Sequence, residues 1–255
     1  MIPPPRTRIF VPRAGDGWLV LDDPDALAIR RSLRLQPPDR VACFNGNGLE
    51  HHYQVKESSR GRLVLELIQS EKNLRDVLPP ITVFAAATKG KTKDRAARDL
   101  PPLGVTRIVF YRAGRTIGEP SESASPRLQK IAIEACRQCG RSTIPPVTVS
   151  NRSLPELFQT GEVSPQRSLL FWEAAGGAGA WPSLDWMKEL TLIFGPEGGF
   201  SPEEIEWIRH AGIPMAPLGR RILRAELAAV VGLALVQARR GLFEQCPAGS
   251  SGGAE

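Results

Sequence analysis

The chain has 255 residues, 42% of them hydrophobic and 24% charged, with a formal net charge of +6. That length holds one large or two modest cores, and the composition is that of an ordinary globular protein. The charge favours a polyanionic partner, nucleic acid first, while 6% aromatic content argues against an RNA surface built mainly of stacked rings.

Residues 1–70 read as mostly β. Runs at Thr7–Val11, Trp18–Leu21, Arg40–Asn45, His51–Lys56 and Arg62–Ile68 carry β-branched and apolar residues with partial alternation, and Gly-rich turns separate them. One helix is expected among them, Pro24–Leu35, exposing Arg30, Arg31 and Arg34. The start, Met1–Arg6, lacks the apolar core of a signal peptide, so a cytoplasmic location with reduced thiols is expected for Cys43, Cys136, Cys139 and Cys246. Cys136 and Cys139 form a C-x-x-C inside a helical pattern, with no second Cys/His pair at zinc spacing. They are expected to be buried or half-buried helix thiols, and no metal site is expected.

The texture changes at residues 72–80. Strand runs at Ile81–Ala87, Arg107–Tyr111, Val147–Val149, Ser168–Trp172, Thr191–Phe194 and Met215–Leu218 alternate with helical segments at Lys91–Leu100, Ser125–Cys139, Leu154–Thr160, Pro202–Ala211 and Ile222–Gly241. That alternation predicts an α/β unit, a mainly parallel sheet covered by helices. The organisation expected is a first domain over 1–75, a second over 76–245 and a disordered tail over 246–255, with a flexible Gly/Ala-rich loop at 174–180. The most apolar long run, Ala225–Ala238, contains Glu226 and is too short to span a bilayer, so no membrane is expected.

Three stretches carry chemistry. Residues 88–99 bring five cations against two anions directly after a strand. Lys89 and Lys91 there are candidates for gripping phosphates, with a solvated polar helix as the alternative. The second stretch is Leu192–Glu204. A short strand breaks into Gly195-Pro-Glu-Gly-Gly199, where glycines let the backbone turn and approach a ligand, and Ser201, Pro202 and Glu204 then restart a capped helix. A strand, a Gly-rich turn and a helix make a ligand cleft at a sheet's carboxyl edge, or only a tight connection. The third is Leu218–Ala228, where Arg220, Arg221 and Arg224 crowd a helix start against the macrodipole, with Glu226 available to pair.

Phe194-Gly-Pro-Glu-Gly-Gly-Phe200 followed by Leu218-Gly-Arg-Arg-Ile-Leu-Arg-Ala-Glu226 resembles the paired signature of the ribosomal small subunit RNA methyltransferase E family, which methylates N3 of a uridine in small-subunit ribosomal RNA. Ile131–Arg141 resembles a further motif of that family. Arg8-Ile-Phe10, Ser32-Leu-Arg-Leu35 and Cys43–Gly48 resemble its first domain more loosely. The resemblance implies a PUA-like RNA-binding barrel, then a trefoil-knotted SPOUT methyltransferase domain that binds S-adenosylmethionine and forms a homodimer. The partner it implies is small-subunit ribosomal RNA or the assembled small subunit.

Carried onto this chain, the resemblance implies cofactor contacts from Phe194, Gly195, Glu197, Gly198 and Gly199 on one wall, and from Leu218, Gly219, Ile222 and Leu223 on the other. Arg221 and Arg224 are the candidates for holding uracil oxygens or phosphate. Glu226 is a candidate for orienting an arginine or accepting the N3 proton. Arg8, Arg34, Lys89, Lys91 and Arg141 are the expected RNA contacts. The chain departs from the family at Lys91–Gly104, where Pro101-Pro102 should end the helix early, at Tyr111–Arg115, and at Leu227, where the family has threonine. Those departures leave two alternatives open: a non-catalytic RNA-binding or ribosome-assembly protein that keeps the fold, and a methyltransferase with another RNA target.

Overall fold

The computed structural model describes residues 7–22, 33–73, 79–88, 90–116, 120–161, 163–175 and 181–243. The expected helix over Pro24–Leu35, except for its last three residues, lies outside the described residues. So do Lys89, Cys246, residues 176–180 of the Gly/Ala-rich loop and the expected tail over 246–255. The chain forms two compact units. One comprises Met1–Asp76 with Cys136–Ile144, the other Val77–Ala135 with Pro145–Glu255. The assignment of Cys136–Ile144 to the first unit differs from a single cut near residue 75.

The first unit is built on strands β1 (Arg8–Phe10), β2 (Trp18–Asp22), β3 (Arg40–Phe44), β4 (Leu49–Ser59) and β5 (Arg62–Lys72). Their order is β1-β3-β4-β5-β2; β1 and β3 run parallel and the other pairs antiparallel. Alternation sends Leu19, Val41, Tyr53, Val55, Leu63 and Leu65 to one face, where they form the core. The β4–β5 hairpin is longer than the apolar runs suggest, because its polar ends, Leu49–Glu50 and Gln69–Lys72, still pair.

Arg8 ties this unit together. Its guanidinium donates to Glu50 Oε2 at 3.0 Å, to the carbonyls of Cys136, Arg137 and Arg141 at 3.1 Å each, and to Ser142 Oγ at 3.0 Å. It also sits 4.6 Å from the centre of the Phe44 ring. The resemblance marks Arg8 and Arg141 for RNA. The structure instead leaves the Arg8 side chain 12% exposed and Arg141 4% exposed. A guanidinium committed to buried carbonyls has no donor left for a phosphate.

The second unit holds β6 (Ile81–Ala86), α1 (Thr92–Asp99), β7 (Arg107–Tyr111), α2 (Ser125–Cys139, whose last residues group with the first unit), β8 (Val147–Val149), α3 (Leu154–Gln159), β9 (Ser168–Phe171), β10 (Leu190–Phe194), α4 (Pro202–His210), β11 (Met215–Ala216) and α5 (Ala225–Arg239). All six strands are parallel, in the order β11-β9-β10-β6-β7-β8. Their near-continuous apolar runs follow from burial on both faces. The chain progresses outward from β6 to β8, then crosses to the other side of β6. The direction of winding therefore reverses between β6 and β10, the place where open α/β sheets form their clefts.

Helix boundaries follow local chemistry. Helix α1 stops at Asp99, and Pro101-Pro102 continue only as a 3₁₀ turn to Leu103. Helix α5 starts at Ala225 rather than Ile222. Arg224 is its N-cap, with extended φ −62° and ψ 150°, so Arg221, Ile222 and Leu223 lie in irregular chain before the helix. The conflict with the macrodipole is therefore confined to one arginine. Among the described residues no helix is long and apolar enough to cross a membrane. Cys43, Cys136 and Cys139 are free thiols; the first two are buried and the third half-buried.

Candidate active-site cleft

β10 ends at Phe194, and its neighbour β9 ends in register at Phe171. The two rings stack, with centroids 4.9 Å apart and planes 13° from parallel. Helix α5 closes down on this pair at Gly232, where a Cβ would lie 2.7 Å from Phe194 and 3.0 Å from Phe171. A larger residue at 232 would push the helix off the sheet and open the pocket floor.

Past Phe194 the chain makes a tight turn. Gly199 N–H bonds to Pro196 O at 2.9 Å, and Gly199 has φ +70°, in the left-handed region that favours glycine. Gly195 is glycine for a different reason: a Cβ there would meet the Phe200 ring at 2.8 Å. Its small size admits a ring of its own loop. The turn then enters α4 through a complete capping box. Ser201 Oγ accepts from Glu204 N–H at 3.2 Å, and Glu204 Oε2 accepts from Ser201 N–H at 2.8 Å.

Neighbouring elements fix the turn further. Tyr111, fully buried at the end of β7, donates to Phe194 O at 3.1 Å. Burial, and then the Glu204 carboxylate, push its phenol well up, so it remains a donor. Arg115 donates to Gly198 O at 2.7 Å, and Gly114 N–H donates to Glu204 Oε1 at 2.8 Å. The segment Tyr111–Arg115, one of the departures in the sequence, thus braces the Gly-rich turn.

A cleft of about 260 Å³ opens at these strand ends. One wall is Phe194, Gly195, Pro196, Glu197, Gly199 and Phe200; the other is Leu218, Ile222, Leu223 and Arg224, with Ala225 and Ala228 from α5. The end of β9 contributes Phe171, Trp172 and Glu173. Of the residues expected to hold a cofactor, Phe194, Gly195, Glu197, Gly199, Leu218, Ile222 and Leu223 line it, while Gly198 and Gly219 belong to its loops without lining it. Of the three expected catalytic residues, Arg224 lines the cleft; Arg221 is exposed and outside the lining. Glu226 turns away to Arg95 of α1, 2.9 Å off, instead of pairing with an arginine of its own turn. Leu227 is 47% exposed and stays off the cleft.

Sequence reasoning missed Phe171–Glu173. The available signal was their place at the carboxyl end of a parallel strand next to β10. It also missed Gly232, whose signal was a lone glycine inside an otherwise strong helix. Among the remaining expected RNA contacts, Arg34 is exposed in the first unit with φ 51°, and Lys91 is exposed at the N-cap of α1 in the second. Among the described residues no His/Cys/Asp/Glu group has the arrangement to hold a metal ion.

The model of the RNA methyltransferase domain family matches residues 76–237. A ribosomal RNA small subunit methyltransferase E of Synechocystis is 30% identical over 219 residues, covering 82% of this chain and 69% of that protein. A Legionella pneumophila structure with bound cofactor SAM is 25% identical, with a TM-score of 0.78, and the match covers 92% of this chain and 98% of that one. The ribosomal RNA small subunit methyltransferase E of Neisseria gonorrhoeae, bound to S-adenosyl methionine, shares the fold at a TM-score of 0.76 and 24% identity, over 91% of this chain and 97% of that one. With its second unit matched nearly throughout and its cleft at the two signature motifs, the chain belongs to the ribosomal RNA small subunit methyltransferase E family.

Proposed function

We propose that this chain is an S-adenosylmethionine-dependent methyltransferase acting on N3 of a uridine in small-subunit ribosomal RNA. The observation that carries the reading is the convergence of Phe194–Phe200 and Leu218–Arg224 on one cleft, in a chain of this family. The residues present suit the cofactor. Leu218, Ile222 and Leu223 offer apolar surface to a purine, the turn after β10 offers backbone groups, and Glu173 and Glu197 set carboxylates beside a cationic sulfonium and ammonium.

When bound, S-adenosylmethionine supplies a methyl carbon electrophilic enough to need no metal. The remaining demands fall on the chain. The uridine must leave its stack to enter the cleft. Its N3–H is weakly acidic and gives its proton to solvent water, so the anion formed as the proton leaves must be stabilised. Arg224 is assigned to the uracil oxygens for that purpose. Arg221, exposed before the helix, is assigned to the incoming RNA. Glu226 is assigned to holding Arg95 and the first turn of α5, in preference to proton acceptance, because its carboxylate is already paired.

The first unit is read as the PUA-like RNA-binding module of the family, and the crossing of the cleft segments as its trefoil knot. The working form is read as a cytoplasmic homodimer. The test is methyl transfer to small subunits from cells lacking their own enzyme, with the modified base mapped. Label on a uridine N3 is the expected result. Label on another nucleotide overturns the uridine assignment while sparing the enzyme class, and no binding of S-adenosylmethionine at millimolar concentration by calorimetry overturns the enzyme reading.

A further inference from the structure

Strands β6 and β10 run parallel to a last registered pair, Ala85 and Phe194. The chains continue past it to Thr88 on one side and to Glu197, in the cleft wall, on the other. Beyond Thr88 the chain enters α1 through Gly90, which has φ +76° and open space where a Cβ would stand. Among the described residues no side chain caps the amino end of α1. A helix start without a cap leaves backbone N–H groups and the positive end of the dipole directed at whatever approaches.

Three side chains gather there. Thr88 is only 3% exposed, yet its hydroxyl has no hydrogen-bond partner. The Lys93 ammonium reaches back to donate to Thr88 O. Asp94 is held by Arg127 in an ion pair, and its Oδ1 is buried without a partner among the described residues. Desolvation pulls the Lys93 ammonium below the ordinary lysine value. The Arg127 cation adds to this, while Asp94 and Glu197 oppose it. Lys93 is thus a partly desolvated cation at the amino end of α1. An unsatisfied hydroxyl, a desolvated ammonium and a bare helix start all suit the same ligand, an oxyanion.

We propose that Thr88, Lys93 and the uncapped amino end of α1 form a subsite for a backbone phosphate of the RNA substrate, placed beside the cleft so that the gripped strand presents its target nucleotide to it. Naming RNA as the source rests on the methyltransferase reading; the oxyanion chemistry does not. The carboxylate of the bound cofactor is the other source of the same chemistry, and the experiment separates the two.

The test uses the full chain carrying Lys93→Met, Thr88→Val or Lys93→Arg. KM for unmethylated small subunits is measured across a salt series, and S-adenosylmethionine affinity by calorimetry. Lys93→Met is expected to raise KM by about tenfold and to flatten the salt slope by about 1, as loss of one phosphate contact does. Thr88→Val is expected to raise KM less and leave the slope unchanged, and Lys93→Arg to keep the slope. All three should bind the cofactor as the parent does. KM and slope unchanged in Lys93→Met, with native thermal unfolding, overturn the subsite. A fall in cofactor affinity with KM for RNA unchanged overturns RNA as the source. If the parent transfers no methyl group, the enzyme reading fails on its own, and the salt slope of small-subunit binding still judges the phosphate subsite.

Discussion

Arg224 is the residue on which the proposed chemistry rests, because it alone of the three expected catalytic side chains lines the cleft. Arg224→Ala should lower kcat by about 10²-fold, the effect of removing one charge-stabilising donor, and change S-adenosylmethionine affinity little. A collapse of cofactor affinity in a folded variant would place Arg224 on the cofactor instead. Arg8 makes the opposite case. Substituting methionine removes the cation paired with Glu50 and the hydrogen bonds to three carbonyls, at a cost of about 3 kcal/mol in urea unfolding. The motif that carries Arg224 put it at the cleft, whereas the expectation for Arg8 put a largely buried guanidinium on the surface. A sequence shows that a residue is charged, but carbonyls at a helix end more than a hundred residues away decide what the charge serves. Gly195 shows the same limit. Its need for a small side chain is visible in the motif, whereas the Phe200 ring that imposes it is visible only in the fold.

Elements with local causes were legible. β7, β8 and α2 have the bounds that the apolar pattern predicts, and the Ser201–Glu204 capping box forms as its spacing requires. Elements with distant causes were not. The start of α5 moves to Ala225 because the preceding residues run irregularly along the cleft, and β4 and β5 lengthen because each pairs with the other's polar ends. That hairpin carries a pH response. His51 of β4 is 3% exposed, bonds Ser70 Oγ through Nδ1 at 2.8 Å, and leaves Nε2 unpartnered. Burial, and then the neighbouring His52, hold its imidazole below the ordinary histidine value. The unfolded chain therefore binds the proton more readily. Stability is fully present above the unfolded value and is lost as pH falls through the folded one. Thermal unfolding should shift to lower temperature as pH drops from about 7.5 to 5.5. His51→Gln should weaken that dependence; an unchanged dependence would assign it to other groups.

At the scale of the whole molecule, alternating strands and helices foretold a parallel sheet, but strand order did not follow from pattern. The order β10-β9-β11 at one side of the sheet is a matter of crossovers, and it is what brings two motifs some 25 residues apart onto one cleft. Pattern likewise gave no sign that Cys136–Ile144 joins the first unit. The proposed homodimer is legible in another way. Helix α5 buries Ala229, Gly232, Leu233 and Val236 against its own sheet, yet it exposes Leu227 at 47% and Leu235 at 38%, eight residues apart on one face, with Val231 half-buried between them. Residues at i, i+4 and i+8 form a continuous stripe, and an apolar stripe left in water costs about 25 cal/mol for each Å² that a partner would cover. A second copy of α5 fits that stripe by two-fold symmetry, since each helix offers the other the same surface. Leu227→Glu combined with Leu235→Glu should therefore convert a dimer to a monomer in light scattering. Because the stripe faces away from Leu233 and Val236, the variant should retain the parent's circular dichroism. A double variant that stays dimeric would move the interface to another face, and a parent that is monomeric at all concentrations would remove the homodimer from the proposed function.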